Sequence, residues 1–313
     1  MEDIFAWHND NLGGTEVAQK WFHKNVLPKM NNIQNFKCIS VPGKPYPLKD
    51  ITVGKKNILW LHLTPDQVDD NGMNVLKQEE FKDSIHKIIA ISNFHKKKIS
   101  LEMNIDPDKI HVIEYPIEDD ITFDMSKFDN VSRPKIIHAS QSIRGLEVLL
   151  RVFEKIDEDF ELSIYNDFYP EQQPENPQLE NLLKDERITF YGKTPRATFL
   201  KELSKSHIHA YPSIFEETSC LVQAEAMLAG NLCVYSNFGA LPETSLGYGI
   251  VSDFLSLSSI DDIVSDYQKN LTTAINLIKS GGFDPSEQVK ALVDYRGKEK
   301  IIDKWVSFDN SLE

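Results

Sequence analysis

Two glutamates, Glu217 and Glu225, stand with seven residues between them in the segment PSIFEETSCLVQAEAMLAG (212–230), which reads as a strand exit, a helix start and a glycine stop. If the helix begins near Thr218 or Ser219, a rise of roughly 1.5 Å per residue carries Glu225 about two turns along, roughly 10 Å from the start, and leaves Glu217 at the mouth. The free backbone N–H groups of Thr218, Ser219 and Cys220, with Leu221 in the same turn, then face an anion that the positive end of the helix dipole favours. A diphosphate suits that position. Carboxylates beside a diphosphate are repelled unless they turn to hydroxyl donors on either side, which assigns Glu225 to ribose hydroxyls and Glu217 to a sugar. One nucleotide sugar satisfies all three groups.

Other segments carry compatible chemistry. Asn11-Leu12-Gly13-Gly14-Thr15-Glu16 follows a predicted strand and opens a helix, so Gly13 and Gly14 allow backbone to approach a phosphate closely. The ordinary role of such a pair is a plain turn. In His138-Ala139-Ser140-Gln141-Ser142-Ile143-Arg144-Gly145-Leu146-Glu147, Arg144 can hold phosphate oxygens in a bidentate way; otherwise it is a surface residue at a helix start. His62 closes the apolar run Ile58-Leu59-Trp60-Leu61, at a strand's carboxyl end, where a satisfied structural histidine is the usual occupant.

The Glu217-to-Glu225 spacing, followed by Ala226-Met227-Leu228-Ala229-Gly230 and by Gly239-Ala240-Leu241-Pro242-Glu243, resembles the donor site of retaining GT-B glycosyltransferases of the family 4, group 1 type. The resemblance implies an α/β fold of GT-B type, with two Rossmann-like domains facing each other across a cleft. It also implies a metal-independent hexosyltransferase that moves a sugar from a nucleotide-diphosphate sugar to a glycan, lipid-linked or small-molecule acceptor with retention. The departing phosphate then takes the acceptor's proton on the same face. Under this resemblance Gly13-Gly14 matches the loop that faces the donor diphosphate, and Arg144 takes the place of the family lysine. His62 matches the histidine near the donor sugar, where a group that titrates close to neutrality can hydrogen-bond sugar hydroxyls. The implied catalytic residues are Glu217, His62 and Arg144; the implied donor-binding residues are Gly13, Gly14, Thr218, Ser219, Cys220, Leu221 and Glu225.

The chain departs from the family pattern in two places. Ala139 or Ser140 stands where the family has an arginine, and Pro116-Ile117 stands where many relatives have Asn-Gly. Lys193 and Arg196 are candidates for a compensating cation, although solvation is the ordinary role of each. The missing arginine motivates a non-catalytic nucleotide-sugar-binding subunit as one alternative. A nucleotide-sugar epimerase of the same fold is the other.

The elements that must position these residues alternate short apolar runs with helical periodicity, the pattern of parallel strands joined by crossover helices. Expected strands are Ile4 to Trp7, Phe36 to Val41, Ile58 to His62, Lys87 to Ile91 and Ile110 to Ile113, with helices starting near Gly14, Met73 and Asn93. After a polar, acidic stretch from Glu118 to Pro134, strands follow at Lys135 to Ala139, Glu161 to Tyr165, Arg187 to Tyr191, His207 to Tyr211 and Leu232 to Tyr235. Helices near Gly145 to Asp157, Pro195 to Ser204 and Ser219 to Ala229 separate them. The expected domains are 1–130, on the acceptor side, and 131–295, for the nucleotide sugar; the helix in 296–313, whose Ile301, Ile302, Trp305 and Val306 form one stripe, packs back on the first.

With 313 residues, 41% hydrophobic and 26% charged, the chain is long enough for two cores and lacks the bias of disordered chains. A formal net charge of -14 opposes general binding to nucleic acid. Peripheral membrane contact stays open through a local cluster such as His95-Lys96-Lys97-Lys98, which otherwise reads as a solvated helix face. Cys38, Cys220 and Cys233 form no CxxC pair, and no apolar run approaches a membrane span, so a cytoplasmic location is expected. No zinc-ligand spacing, GxxxxGK[ST] loop or GxSxG elbow occurs, and Asp119-Asp120 falls in the linker. Neither a metal site nor a resident cofactor is expected, the nucleotide-diphosphate sugar serving as co-substrate.

Overall fold

The computed structural model describes residue 5 and residues 13–41, 56–67, 78–117, 121–165 and 185–312. Apart from Phe5, the expected strand Ile4 to Trp7 lies outside the described residues, as do the helix start near Met73 and the Asp119-Asp120 pair. Contacts divide the chain into two compact units, Met1–Pro116 with Tyr295–Glu313, and Ile117–Asp294.

The described first unit opens with helix α1 (Gly14–Asn25) and holds a parallel sheet in the order β1 (Lys37–Val41), β2 (Asn57–Leu61), β3 (Ile85–Ala90), β4 (Ile110–Val112). Every residue of β2 is buried, as a strand covered on both faces requires. On one face Ile39, Leu59, Leu61 and Ile88 meet Ile99 and Met103 of a later helix. On the other, Trp60 joins Phe5, Phe22 and Trp305, with the Trp60 and Trp305 rings 5.1 Å apart. Helix α2 (Glu79–Ser84) leads directly into β3, and α3 (Asn93–Met103) starts where Ser92 accepts the His95 N–H at 2.9 Å, a side-chain cap on the first turn.

The second unit is a six-stranded parallel sheet, in the order β10-β9-β8-β5-β6-β7. Its strands are β5 (Lys135–Ala139), β6 (Glu161–Tyr165), β7 (Ile188–Phe190), β8 (Ile208–Tyr211), β9 (Leu232–Ser236) and β10 (Ile250–Ser252). Strand alternation splits the core in two. Ile208, Ala210, Leu232 and Val234 pack on one face with helix α4 (Leu146–Phe153); Tyr211, Cys233 and Tyr235 pack on the other. That second face is covered by helices α5 (Arg196–Lys205) and α6 (Leu221–Leu228). Three helices complete the set: the short α7 (Leu241–Thr244), α8 (Ile260–Lys279) on the α4 face, and α9 (Ser286–Arg296). Ile117, Ile121 and Phe128, which precede residue 131, are buried in these same cores.

Helix α10 (Lys298–Asn310) returns to the first unit. Its Asp309 carboxylate accepts the backbone N–H groups of Asn31, Asn32 and Ile33 at 2.7, 3.0 and 2.6 Å. Just before it, Arg296 is 1% exposed and donates to the Tyr115 carbonyl at 3.0 and 2.9 Å. Among the described residues no helix is long and apolar enough to cross a membrane.

The connectivity places the site. From β5 the chain runs outward through β6 and β7, then returns to β8 on the other side of β5 and continues through β9 to β10. This reversal makes the carboxyl ends of β5 and β8 the topological switch point, where open parallel sheets leave a crevice. Ser140 follows one of those strands and Tyr211 ends the other.

Candidate functional site

The turn after β5 is pressed onto the exit of β8. A Cβ on Gly145, whose φ is +121°, would lie 2.1 Å from the Pro212 carbonyl oxygen, so only glycine fits. The Ile214 N–H donates to the Arg144 carbonyl at 3.3 Å across the same junction. Arg144 is thereby aimed along the β8 exit: its guanidinium lies 4.1 Å from the Phe215 ring centroid and donates to Glu217 Oε1 at 3.0 Å. Its Nε is buried without a hydrogen-bond partner among the described residues.

The same Glu217 oxygen accepts the Tyr211 hydroxyl, which lies 3.0 Å from Ser140 Oγ. Two donors therefore converge on Oε1, while Oε2 has no partner among the described residues. Burial, then the Glu217 charge, pushes the Tyr211 hydroxyl well above its ordinary pKa, so it remains a donor. For Arg144 burial works against the charge, but Glu217 and Tyr211 outweigh it and raise the pKa. The backbone of Glu217 is fixed as well. Its carbonyl accepts the Ala240 N–H at 2.7 Å, and a Cβ on Gly239 would sit 2.5 Å from the Glu217 nitrogen and oxygen.

This backbone bond corrects the expected helix start. A helix beginning at Thr218 needs the Glu217 carbonyl for the Leu221 N–H, but that oxygen is committed to Ala240. Helix α6 begins instead at Leu221 with Cys220 as its N-cap, and Thr218 and Ser219 precede it. The amides left free by helix geometry are those of Leu221, Val222 and Gln223. Thr218 and Leu221 are buried, Ser219 is half-buried, and burial drives the Cys220 thiol well above its usual pKa.

Glu225 is the fifth residue of α6, roughly 6 Å along its axis. Its carboxylate is fully buried and paired with Arg196, whose second amino group lies 3.5 Å from the other oxygen. Arg196 opens helix α5 just after Pro195, so the solvated role ordinary for such an arginine does not hold here. A cation at the positive end of a helix is unfavourable unless an anion compensates, and that mismatch is the signal the sequence offers for this pair.

In the first unit, Gly13 caps α1, and a Cβ on it would lie 2.8 Å from Glu16 Oε2; Gly14 is the helix's first residue. His62 is 2% exposed and bonded at both ring nitrogens, to the Tyr115 hydroxyl at 2.6 Å and to Ser40 Oγ at 2.9 Å. Ser40 also receives Gln19 of α1, and Thr15 Oγ1 lies 3.4 Å from the Tyr115 hydroxyl. Burial, with His95 nearby, holds His62 well below its ordinary pKa, as a neutral imidazole. The basic cluster on α3 is dispersed: His95 is buried and donates from Nε2 to the Leu63 carbonyl at 2.8 Å, while Lys98 pairs with Asp66 at 3.0 Å.

A cavity of about 820 Å³ in the second unit is lined by Lys127, Arg133, Lys135 and Lys201 and by none of the candidate residues. Its most buried cation serves the fold, because Lys127 Nζ donates to the Ser206 and Ala229 carbonyls at 2.6 Å each and to Asn231 Oδ1 at 2.7 Å.

Residues 133–255 match the family model described as Glycosyl transferases group 1. This segment is a group 1 glycosyl transferase domain. The group 1 domain begins just before β5 and ends just after β10, so it contains the whole six-stranded sheet together with Arg144, Tyr211, Glu217 and Glu225. No protein of curated function matches the chain by sequence. Among solved structures, the UDP complex of HepE from Anabaena is 15% identical with a TM-score of 0.71, covering 95% of this chain and 82% of that one. A glycosyltransferase from Rickettsia africae is 15% identical with a TM-score of 0.67, covering 98% of this chain and 84% of its own. Sucrose-phosphate synthase from Thermosynechococcus elongatus is 17% identical with a TM-score of 0.61, at 82% and 67% coverage. These likenesses establish the fold, α/β of GT-B type with two parallel sheets.

Proposed function

We propose that the chain is a metal-independent, retaining glycosyltransferase that takes a hexose from a nucleotide-diphosphate donor. The observation that carries the reading is the state of Glu217 at the switch point: one oxygen held by Arg144 and Tyr211, the other open to accept a sugar hydroxyl. The first-turn amides of α6 and the Arg144 guanidinium supply positive charge where the departing diphosphate gains negative charge. Glu225 takes the ribose hydroxyls, which replace the Arg196 donors on its carboxylate. In the transfer, the bond from the anomeric carbon to the diphosphate oxygen breaks. The acceptor oxygen then bonds to that carbon from the same face, and its proton passes to the leaving phosphate. For the Gly13-Gly14 turn and the neutral His62 of the first unit, a donor role rests on the family resemblance alone. Solved structures of HepE hold UDP, or UDP and glucose, which puts uridine nucleotides first among the donors to try.

Thermal melting against UDP-, GDP- and ADP-sugars tests the donor site, since a ligand at a hundred times its Kd adds about 2.7 kcal/mol to stability. At least one of these sugars is expected to raise the melting temperature and to be consumed with an acceptor. Glu217→Ala is expected to abolish transfer and leave the melting temperature of the free protein within a few degrees. Full transfer by Glu217→Ala would sink the assignment. Conversion of the donor to an epimer would identify an epimerase, and binding without any turnover a non-catalytic subunit.

A further inference from the structure

We propose that Tyr211 is a positioning residue for Glu217, and that Ser140, Tyr211 and Glu217 form one directed hydrogen-bond chain that fixes which carboxylate oxygen meets the sugar. The inference rests on the donor-site reading above and assigns a device within it. A tyrosine hydroxyl has one proton to give. Tyr211 gives that proton to Glu217 Oε1, so Ser140 Oγ, at 3.0 Å, must donate to Tyr211. The order is therefore Ser140 to Tyr211 to Glu217.

The geometry makes this more than packing. Tyr211 is 1% exposed and ends β8, and strand alternation turns its ring to the face shared with Cys220 and Leu241. Its hydroxyl has no solvent to bond, and burial keeps it protonated, so it gives its proton to the Glu217 oxygen beside it. Arg144 by itself is a weaker anchor. It meets Oε1 through a single amino group at 3.0 Å, while its plane lies against Phe215 and its side chain stays about a quarter exposed. The tyrosine removes the freedom left by the arginine: with both donors on Oε1, rotation of the carboxylate about its own axis is blocked and Oε2 is presented as the acceptor. Ser140 is half-buried at the end of β5, so the chain links both strands of the switch point.

The test uses the full chain, the nucleotide sugar that raises its melting temperature most, and the corresponding sugar-free nucleoside diphosphate. Tyr211→Phe deletes one hydroxyl. It is expected to weaken nucleotide-sugar binding and lower kcat/KM by roughly tenfold or more, as loss of a hydrogen bond to a charged group does. The nucleoside diphosphate should bind within about twofold of the wild type, because Oε2 serves the sugar alone. In a Glu217→Ala background, which removes the acceptor, the same substitution should change nucleotide-sugar binding by almost nothing, the coupling that marks a direct pair. Ser140→Ala, which leaves the buried ring in place, should shift the same ratio in the same direction by about two- to threefold.

Equal losses with and without the sugar would reduce Tyr211 to a packing residue and overturn the proposal. Unchanged sugar binding in Tyr211→Phe, with Glu217→Gln impaired, would overturn it while leaving the donor site standing. An unimpaired Glu217→Gln would remove the donor-site reading itself.

Discussion

Replacing Gly145 by alanine tests how the site is built. Two terms act against the methyl group. At φ +121° an L-residue is strained, by about 1–2 kcal/mol, and the new Cβ would stand 2.1 Å from the Pro212 oxygen and 3.0 Å from its carbon. Both neighbours are backbone of the β8 exit, so relief requires moving the turn itself, which adds roughly 1–3 kcal/mol. Together these give roughly 2–5 kcal/mol, or a fall in melting temperature of roughly 5–15 °C for a unit of this size. Gly247 provides the control. Its φ is +81° and nothing lies within 4 Å of a Cβ built there, so Gly247→Ala carries only the first term. Thermal unfolding by circular dichroism reads the difference, and titration with nucleotide sugar reads its effect on Arg144, whose 3.0 Å bond to Glu217 depends on the same turn. If the two alanine variants melt together, the close approach to Pro212 is not what selects glycine, and the account of how Arg144 is aimed fails.

Other consequences are open to the same instruments. Arg196→Met leaves the Glu225 carboxylate buried without its cation and should cost about 3–5 kcal/mol, much of it recovered in the double variant with Glu225→Gln; equal melting of wild type and single variant would contradict the pairing. Burial lowers His95 and His138 to about 4 and His209 to about 3, so below the unfolded value of 6.5 the unfolded chain binds more protons and stability falls with pH. At pH 5 that amounts to roughly 2 kcal/mol for each histidine, and melting temperatures that stay level from pH 7 to pH 5 would contradict it. Lys127→Met strips the donor from two carbonyls and the Asn231 amide and should lower stability by about 2–4 kcal/mol; an unchanged melting temperature would show that other donors replace it.

The strand-and-helix alternation was readable because parallel strands buried on both faces give short, continuous apolar runs, as in Ile58-Leu59-Trp60-Leu61 and in β9. Glu217 and Glu225 stood out as candidates for a local reason, their spacing around an expected helix start. What escaped depends on contacts between distant segments. The late start of α6 follows from a bond between Glu217 and Ala240, and the partner of Glu225 lies 29 residues away in α5. Tyr211 is only six residues from Glu217, yet its contact with Ser140 depends on the sheet order, which places β5 alongside β8. The partners of His62, Ser40 and Tyr115, lie 22 and 53 residues off, beyond the reach of any local pattern. Strand β10 is not among the expected strands; it is three residues at the edge of the sheet, with Val251 exposed.

The aromatic cluster of the first unit also sets an order of assembly. Trp60 and Phe22 are closed over by Trp305, and Asp309 ties down the amides of residues 31 to 33, so residues made early wait for residues made after the entire group 1 domain. During synthesis that domain acquires all six of its strands while the earlier sheet still shows a greasy face to solvent or to a chaperone. A chain released from the ribosome near residue 294 would carry a finished second unit joined to a sticky, half-made neighbour, and aggregation should be its first symptom.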